Sequence, residues 1–216
     1  MRALVFANGE LNDGPAVQAA LDGARDALVI AADGGARLAL ACGRTPALVI
    51  GDFDSLSDAE VEHLRELGAA IERVAAEKNE TDLELALLAA AQRDADPIDV
   101  LGAAGGRLDQ LLANLYLLAM PSLRDRAVRI VDGRQTLWLI GPGRHRISGA
   151  PGDTLSLIPL TPEAAGITTE GLQYPLRGES LYIGAARGVS NVLLGSEAQV
   201  TLGAGQLFVV HTVGRA

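Results

Sequence analysis

The feature that most constrains the fold is the alternation of short, continuous apolar runs with helical patterns up to Asp132. Runs such as Ala3–Ala7 and Leu28–Ala32 show no polar alternation, which is typical of strands buried on both faces of a sheet. Because a helical pattern follows almost every run, the order predicts a parallel sheet covered by helices on both faces, a three-layer α/β domain.

The elements of this domain can be assigned individually. We predict six strands, at Ala3–Ala7, Leu28–Ala32, Ala47–Ile50, Ala70–Val74, Ile98–Leu101 and Val128–Asp132. Helices are predicted from Pro15 to Arg25, from Gly35 to Ala41, from Ser57 to Leu67, from Thr81 to Arg93 and from Leu108 to Met120. Two of them begin with the capping-box pattern, a hydroxyl residue followed three positions later by glutamate.

The pattern changes after Asp132. From Gln135 onward the chain has short strand-like pieces and frequent glycine and proline turns, and it has no convincing helix. This composition predicts a small all-β domain, a sandwich or a barrel. We therefore expect an α/β domain at residues 1–134 and a β-rich domain at residues 135–216.

Polar, glycine-rich clusters follow the predicted parallel strands. Ligands of such sheets bind beyond the carboxyl ends of the strands, so these clusters are the candidate site. They are Asn8-Gly9, Asp33-Gly34-Gly35, Gly51-Asp52-Phe53-Asp54-Ser55, Lys78–Asp82, and Gly105-Gly106-Arg107-Leu108-Asp109.

Asp52 and Asp54 are two positions apart at a strand end. In extended chain their side chains would point the same way and could share one ion. Magnesium prefers carboxylate oxygens, water and substrate phosphates. A plain turn would also use these residue types. Because the other polar clusters follow neighbouring strands of the same predicted sheet, a magnesium site that holds nucleotide phosphates is favoured over a plain turn.

Two further clusters can bind phosphate. Lys78 and Thr81 stand near a predicted helix N-terminus, where backbone N–H groups and the helix dipole favour anions. Arg107 can pair bidentately with phosphate, and Asp109 could orient it. Lys78 is the only lysine, against seventeen arginines. Neither a Walker lysine motif nor a Gly-x-Gly-x-x-Gly turn after the first strand is present, which disfavours a P-loop or an ordinary dinucleotide site.

Composition excludes other classes of function. The net charge of −9 disfavours general nucleic-acid binding, because the phosphate backbone would be repelled. Cys42 is the only cysteine, so no intramolecular disulfide can form. No apolar run is long enough for a membrane span or a secretory leader, so we expect a cytoplasmic protein that does not bind membranes.

Taken together, the clusters resemble those of the thiamine pyrophosphokinase family. The matching stretches include Gly51-Asp52-Phe53-Asp54-Ser55, Lys78-x-x-Thr81-Asp82 and Gly105-Gly106-Arg107-x-Asp109. In the β-rich region, Gly166–Leu176 and Gly188–Asn191 match as well. The resemblance covers nearly the whole chain in the right order. It implies transfer of a pyrophosphoryl group from ATP to the hydroxyl of thiamine, with release of AMP, by an α/β catalytic domain and a β-rich thiamine-binding domain.

The resemblance also implies roles for individual residues. Magnesium would be bound by Asp52, Asp54 and Asp82. ATP would be contacted by Asn8, Gly9, Asp33, Lys78, Thr81, Arg107 and Asp109. Thiamine would be contacted by Thr168, Tyr174, Ser190 and Asn191. The catalytic set would be Asp33, Asp52, Asp54, Asp82 and Arg107, with Asp33 or Asp82 as the proton acceptor. The family works as homodimers whose active sites are shared between subunits, so a homodimer is expected.

Three positions depart from the family pattern. Asn79 stands where aspartate is frequent and removes a negative charge near the metal, so we do not assign it as a ligand. Gln110 replaces a histidine and cannot transfer a proton. Tyr174 replaces a tryptophan but keeps an aromatic face that can stack on the pyrimidine or attract the cationic thiazolium.

Three alternatives remain open at this point. One is a pyrophosphokinase for another alcohol, such as a hydroxymethylpterin. A second is a thiamine-binding sensor without catalysis. The third is a phosphatase with Asp52 as nucleophile, which would leave Asp82 and the Gly-Gly-Arg-x-Asp cluster without a role.

Overall fold

A computed structural model describes residues 1–215. The chain divides into two compact units, one of Met1–Gly133 and a second that starts at Arg134. The first contains all the α-helices among the described residues, and the second is built from strands. No helix of the described chain is both long and apolar enough to span a bilayer.

Six parallel strands form the sheet of the first unit: β1 Ala3–Phe6, β2 Leu28–Ala32, β3 Leu48–Gly51, β4 Ala70–Arg73, β5 Ile98–Leu101 and β6 Val128–Asp132. Their order is β6-β5-β1-β2-β3-β4. Ala3 of β1 pairs with Leu28 of β2 on one side and with Ile98 of β5 on the other. The central strand β1 is buried along its whole length, as its continuous apolar run predicts.

Five helices connect these strands: α1 Pro15–Asp22, α2 Gly35–Ala41, α3 Asp58–Glu66, α4 Asp82–Gln92 and α5 Leu108–Leu117. Their starts follow local chemistry. Pro15 occupies the first turn of α1, where its missing N–H costs nothing. Ser57 and Glu60 form both halves of a capping box at α3. Thr81 caps α4 by accepting a hydrogen bond from Glu84 N at 3.2 Å.

The helices cover both faces of the sheet. Leu4 and Phe6 of β1 join a buried cluster with side chains from α1, α2 and α3, such as Val17 and Leu64. Helix α4 packs against β1, β2 and β3 and buries Leu87. Because successive strand residues point to opposite faces, the sheet is the middle of three layers. The predicted three-layer α/β fold is confirmed.

The second unit contains eight strands: β7 Gln135–Ile140, β8 Gly143–Ser148, β9 Thr154–Pro159, β10 Glu163–Glu170, β11 Arg177–Tyr182, β12 Asn191–Val192, β13 Glu197–Leu202 and β14 Leu207–Thr212. They form two antiparallel arrays, in the orders β12-β9-β14-β7 and β11-β10-β13-β8. Leu155 and Leu157 from the first array share one buried cluster with Ile167 and Val200 from the second. The predicted all-β domain is therefore confirmed, and of the two predicted architectures, sandwich and barrel, it is a sandwich.

The differences from prediction have simple causes. Strand β8 was not predicted, because it is rich in charged residues and has no apolar run. It lies at the edge of its array, paired with β13. Strand β12 has two residues, too few for a pattern. Helix α5 ends at Leu117 rather than Met120, just ahead of a 3₁₀ turn at Pro121–Leu123. Proline disfavours helical geometry in the residue before it, which explains the earlier end.

Candidate active site

The first unit contains a cavity at the carboxyl ends of its strands. From β1 the chain moves outward to β4 and then returns to β5 on the other side of β1, so the order reverses between β1 and β5. Crevices at such reversals bind ligands in open α/β sheets. The cavity has a volume of about 750 Å³. Its lining includes the predicted site residues Asn8, Gly9, Asp33, Asp54, Lys78, Thr81, Asp82 and Arg107.

Three carboxylates converge in this region. Asp33 follows β2, Asp52 follows β3, and Asp82 begins α4; each offers an oxygen within 4.8 Å of the other two. Asp33 Oδ1 and Asp82 Oδ1 are buried without a hydrogen-bond partner among the described residues. Asp33 itself is only 3% exposed. Buried polar atoms are normally satisfied, so the unpartnered Oδ1 of Asp33, within a group of three carboxylates, indicates a place for a cation.

Lys78 lies beside this acidic group. Its Nζ is 3.0 Å from Asp82 Oδ1 and 3.7 Å from Asp52 Oδ2. The shorter contact is an ion pair, so Asp82 Oδ1 has Lys78 as a charged partner, whereas Asp33 Oδ1 has none among the described residues. Burial disfavours the charged ammonium, but the two carboxylates outweigh it and raise the pKa of Lys78. Burial raises the pKa of Asp82; Lys78 opposes this, and the charges of Asp52 and Asp33 add to it.

The segment after β3 is a turn and not extended chain. Phe53 has a φ of +61°, and Asp54 N donates to Asp52 Oδ1 at 3.0 Å. The prediction that Asp52 and Asp54 point the same way along a strand is therefore wrong in its geometry. Asp52 points toward Asp33 and Asp82, while Asp54 is exposed, accepts a hydrogen bond from Ser55 Oγ at 3.0 Å, and lines the cavity.

The other loops are held close together. Asn8 Nδ2 donates to Ser55 Oγ at 3.0 Å, which links the ends of β1 and β3. A Cβ at Gly9 would lie 2.4 Å from Gly102 O, and one at Gly34 would lie 2.3 Å from Asn8 Oδ1. Glycine is therefore required at position 9, where the backbone after β5 approaches too closely for a side chain, whereas a side chain at position 34 would displace the Asn8 side chain.

Arg107 and Asp109 form a separate pair at the start of α5. Arg107 Nε donates to Asp109 Oδ1 at 3.1 Å, and both side chains are exposed, at 72% and 66%. Hydrogen bonding from Arg107 lowers the pKa of Asp109. Arg107 lines the cavity, whereas Asp109 does not. Further along α5, Asn114 Nδ2 donates to Ala103 O at 3.0 Å and fixes the loop after β5 to the helix.

In the second unit, two of the predicted thiamine residues contact each other. Tyr174 N donates to Asn191 Oδ1 at 3.0 Å, and Asn191 Nδ2 donates to Tyr174 O at 2.7 Å. The asparagine amide is thus engaged with the backbone that carries Tyr174, whose ring is 63% exposed. Ser190 has a φ of +59°, and its N–H donates to Ser156 Oγ. Thr168 Oγ1 accepts a hydrogen bond from Gly178 N at 3.1 Å.

Two arginines that contact residues 52–55, here called the acidic turn, were not identified as site residues from the sequence. Arg37 on α2 donates to Ser55 O at 2.7 Å and pairs with Glu60. Arg73 at the end of β4 donates to Asp52 O at 3.0 Å. Both act on backbone carbonyls, and no local motif marks such contacts. The only sequence signal is that Arg73 is the next-to-last residue of the predicted strand Ala70–Val74, which follows β3.

Comparison with known proteins agrees with this arrangement. Residues 23–131 match the family described as thiamin pyrophosphokinase, catalytic domain, and residues 144–207 match thiamin pyrophosphokinase, vitamin B1 binding domain. The chain is 30% identical over 186 residues to the thiamine pyrophosphokinase of Bacillus subtilis (strain 168), covering 86% of this chain and 87% of that protein.

Solved structures give the same result. The crystal structure of the Bacillus subtilis thiamine pyrophosphokinase superposes with a TM-score of 0.86 at 28% identity, covering 99% of both chains. A thiamin pyrophosphokinase family protein from Enterococcus faecalis superposes with a TM-score of 0.84 at 28% identity, covering 100% of both chains. The pterin, sensor and phosphatase alternatives find no support among these relatives. The chain belongs to the thiamine pyrophosphokinase family, and its reaction is the transfer of a pyrophosphoryl group to thiamine.

Proposed function

We propose that the acidic group of the first unit holds Mg²⁺ against the phosphates of ATP. The observation that carries this proposal is the convergence of Asp33, Asp52 and Asp82, whose oxygens lie within 4.8 Å of one another, with the buried Asp33 Oδ1 unpartnered among the described residues. Hard oxygen donors of this kind suit Mg²⁺, which keeps part of its coordination for water and phosphate. Asp54 lines the same cavity and is proposed as a further ligand from the same turn.

The remaining cavity residues are proposed to bind ATP. The N-terminus of α4, capped by Thr81, directs backbone N–H groups toward the cavity and favours a phosphate there. Lys78 and Arg107 supply positive charge, and Asn8 and Gly9 line the end of β1. Asp109 pairs with Nε and Nη2 of Arg107, so Arg107 can bind a phosphate through Nη1 or by exchanging this partner.

The reaction requires the thiamine hydroxyl to attack the β-phosphorus of ATP and to release AMP. Bound magnesium would supply charge neutralisation of the phosphate oxygens. Lys78 and Arg107 stabilise the negative charge on the transferring group, and the α4 N-terminus orients it. Asp33 or Asp82 accepts the proton of the hydroxyl, since both are carboxylates in the cavity. Gln110 also lines the cavity, but its amide group does not titrate and cannot act as an acid or a base.

The β-sandwich is proposed to contribute Thr168, Tyr174, Ser190 and Asn191 to thiamine binding. Tyr174 presents an exposed aromatic face that can stack on the pyrimidine or attract the thiazolium charge. The two hydrogen bonds between the Asn191 side chain and the Tyr174 backbone fix that backbone. Asn191 therefore supports the Tyr174 ring in addition to any contact that it makes with thiamine. The match of residues 144–207 to the vitamin B1 binding domain supports this assignment.

A cytoplasmic homodimer with active sites shared between subunits is also proposed. Helix α5 carries three large apolar side chains that are strongly exposed and recur every four residues: Leu108 at 77%, Leu112 at 56% and Tyr116 at 61%. Residues spaced by four lie on one face of a helix. A face of this kind on one protomer supports association with a second copy, since contiguous exposed apolar surface marks interaction sites.

The metal proposal is tested by calorimetric titration of Mg²⁺ into metal-free protein with ATP and thiamine both absent, since free ATP would itself bind the metal. We expect saturable binding to the wild type and binding weakened about tenfold or more by Asp33→Asn, Asp52→Asn or Asp82→Asn. Asp58→Asn, which removes an exposed carboxylate from the first turn of α3, is the control and should bind as the wild type does. Unchanged binding in all three site variants would refute the proposal.

A further inference from the structure

Arg73 contacts the acidic turn at two points. Its Nη1 donates a hydrogen bond to Asp52 O at 3.0 Å, and its guanidinium carbon lies 4.8 Å from the centre of the Phe53 ring. A cation within about 6 Å of an aromatic face is attracted by the ring. The Arg73 side chain therefore contacts both the backbone of Asp52, a proposed metal ligand, and the ring of Phe53.

The position of Arg73 is fixed by the sheet. Residue 73 pairs in register with Gly51, the last residue of β3, and Val74 N donates to Gly51 O at 2.9 Å. The end of β4 thus lies beside the start of the turn. The Arg73 side chain needs only to extend past this pair to reach Asp52 and Phe53.

The turn needs such support because its backbone is strained. Phe53 has a φ of +61°, a left-handed conformation that non-glycine residues adopt at a cost. The conformation persists only if the surroundings determine it. The Phe53 ring is anchored in the core, where it is 6% exposed among residues such as Leu56 and Val61, and Arg73 contacts the ring and the preceding carbonyl.

The same turn sets the direction of the Asp52 carboxylate. Asp52 Oδ1 accepts the hydrogen bond from Asp54 N, while Oδ2 lies on the side of Lys78. A change in the Phe53 backbone would move Asp54 N and release Oδ1, so Asp52 could rotate away from Asp33 and Asp82. Arg73 does not line the cavity, so we infer that its effect on the acidic group passes through the turn.

We propose that Arg73 is a positioning residue that sets the metal affinity of the acidic group by holding the turn at Asp52 and Phe53. This inference rests on the proposed metal site. It assigns to an exposed arginine, which neither the spacing of the aspartates nor the nucleotide cavity marks, a role in ordering Asp52 before metal and ATP arrive.

The test compares Mn²⁺ binding, followed by electron paramagnetic resonance, in full-length variants with ATP and thiamine both absent, since free ATP would itself bind the metal. Arg73→Met loses the hydrogen bond and the cation–π contact, so its dissociation constant for Mn²⁺ should rise about tenfold. Arg73→Lys keeps the charge but not the planar guanidinium. Its dissociation constant for Mn²⁺ should lie between those of the wild type and Arg73→Met. Arg65→Met is the control, because Arg65 is an exposed arginine paired only with Glu62 in α3, and it should match the wild type.

The outcomes separate the two proposals. If the wild type binds Mn²⁺ and Arg73→Met binds it equally well, with only a lower melting temperature, Arg73 is purely structural and the inference fails. If Arg73→Met does not fold, Arg73→Lys decides, and wild-type affinity in that variant overturns the inference. If the wild type and Asp52→Asn show the same Mn²⁺ binding, the proposed metal site itself is wrong.

Discussion

Lys78 Nζ lies 3.0 Å from Asp82 Oδ1, and both residues belong to the loop and first turn that follow β4. The lysine also reaches Asp52 Oδ2, at 3.7 Å. The only lysine of the chain therefore neutralises part of the acidic group in the absence of metal. A bound cation and Lys78 must share the same carboxylates. Loss of Lys78 should therefore lower the stability of the metal-free protein and increase the stabilisation that a bound metal provides.

We expect Lys78→Met to destabilise the metal-free protein by about 1–3 kcal/mol, because Asp52 and Asp82 are left without their counter-charge. Mg²⁺ should then raise the melting temperature of the variant more than that of the wild type. Thermal unfolding with and without Mg²⁺ measures both effects. Arg93→Met, at the other end of α4, is the control and should leave the Mg²⁺ response unchanged. An equal Mg²⁺ response in Lys78→Met would contradict the shared-carboxylate account.

The stability of the metal-free protein should depend on pH through Asp82. The pKa of Asp82 is raised in the folded state by burial, so its contribution to stability is present below the unfolded pKa and is lost as pH rises through the folded value. The pKa of Lys78 is raised by its two carboxylate neighbours, so Lys78 stays charged throughout this range. The melting temperature of the wild type relative to Asp82→Asn should therefore fall as pH rises from about 3 to 6. A difference that stays constant or grows would show that Asp82 is not destabilised by ionisation.

Asp54→Asn should remove turnover and leave the fold intact. The Asp54 side chain is exposed and accepts one hydrogen bond, from Ser55, so the melting temperature should change by no more than about 2 °C. Activity and thermal unfolding of the same preparation check the two parts. Asp58→Asn removes an exposed carboxylate close by in the chain and should keep full activity. Full activity in Asp54→Asn would restrict the metal group to Asp33, Asp52 and Asp82.

Leu112→Glu should convert the proposed dimer into monomers, because it places a charge in the middle of the apolar face of α5. Sedimentation velocity gives the mass directly. Leu67→Glu is the matched control, since Leu67 is also an exposed leucine, at 42%, but lies at the end of α3. The dimer proposal fails if the wild type sediments as a monomer, and the assignment to α5 fails if Leu112→Glu remains a dimer.

The fold could be predicted because its signals are local. Buried parallel strands such as Ile98–Leu101 have uninterrupted apolar runs, and the capping residues Ser57 and Thr81 mark helix starts. The clusters after the strands also mark the cavity, since the topology alone brings them to one edge.

The inner geometry of the site could not be predicted in the same way. The left-handed φ of Phe53 separates Asp52 from Asp54, and a phenylalanine gives no sign of that conformation. Asp33 joins the acidic group through tertiary packing between β2, β3 and α4, where sequence spacing carries no information. The contacts of Arg37 and Arg73 with backbone carbonyls depend on distant parts of the chain in the same way.

The central claim is that the acidic group and its cavity direct pyrophosphoryl transfer to thiamine. The most direct test is to incubate the wild type and Asp82→Asn with [α-³²P]ATP, thiamine and Mg²⁺ and to separate the labelled nucleotides. The account predicts labelled AMP, formed together with thiamine diphosphate, from the wild type, and none from the wild type without divalent metal or from the variant. Labelled ADP as the product, or labelled AMP formed equally well by Asp82→Asn, would contradict it.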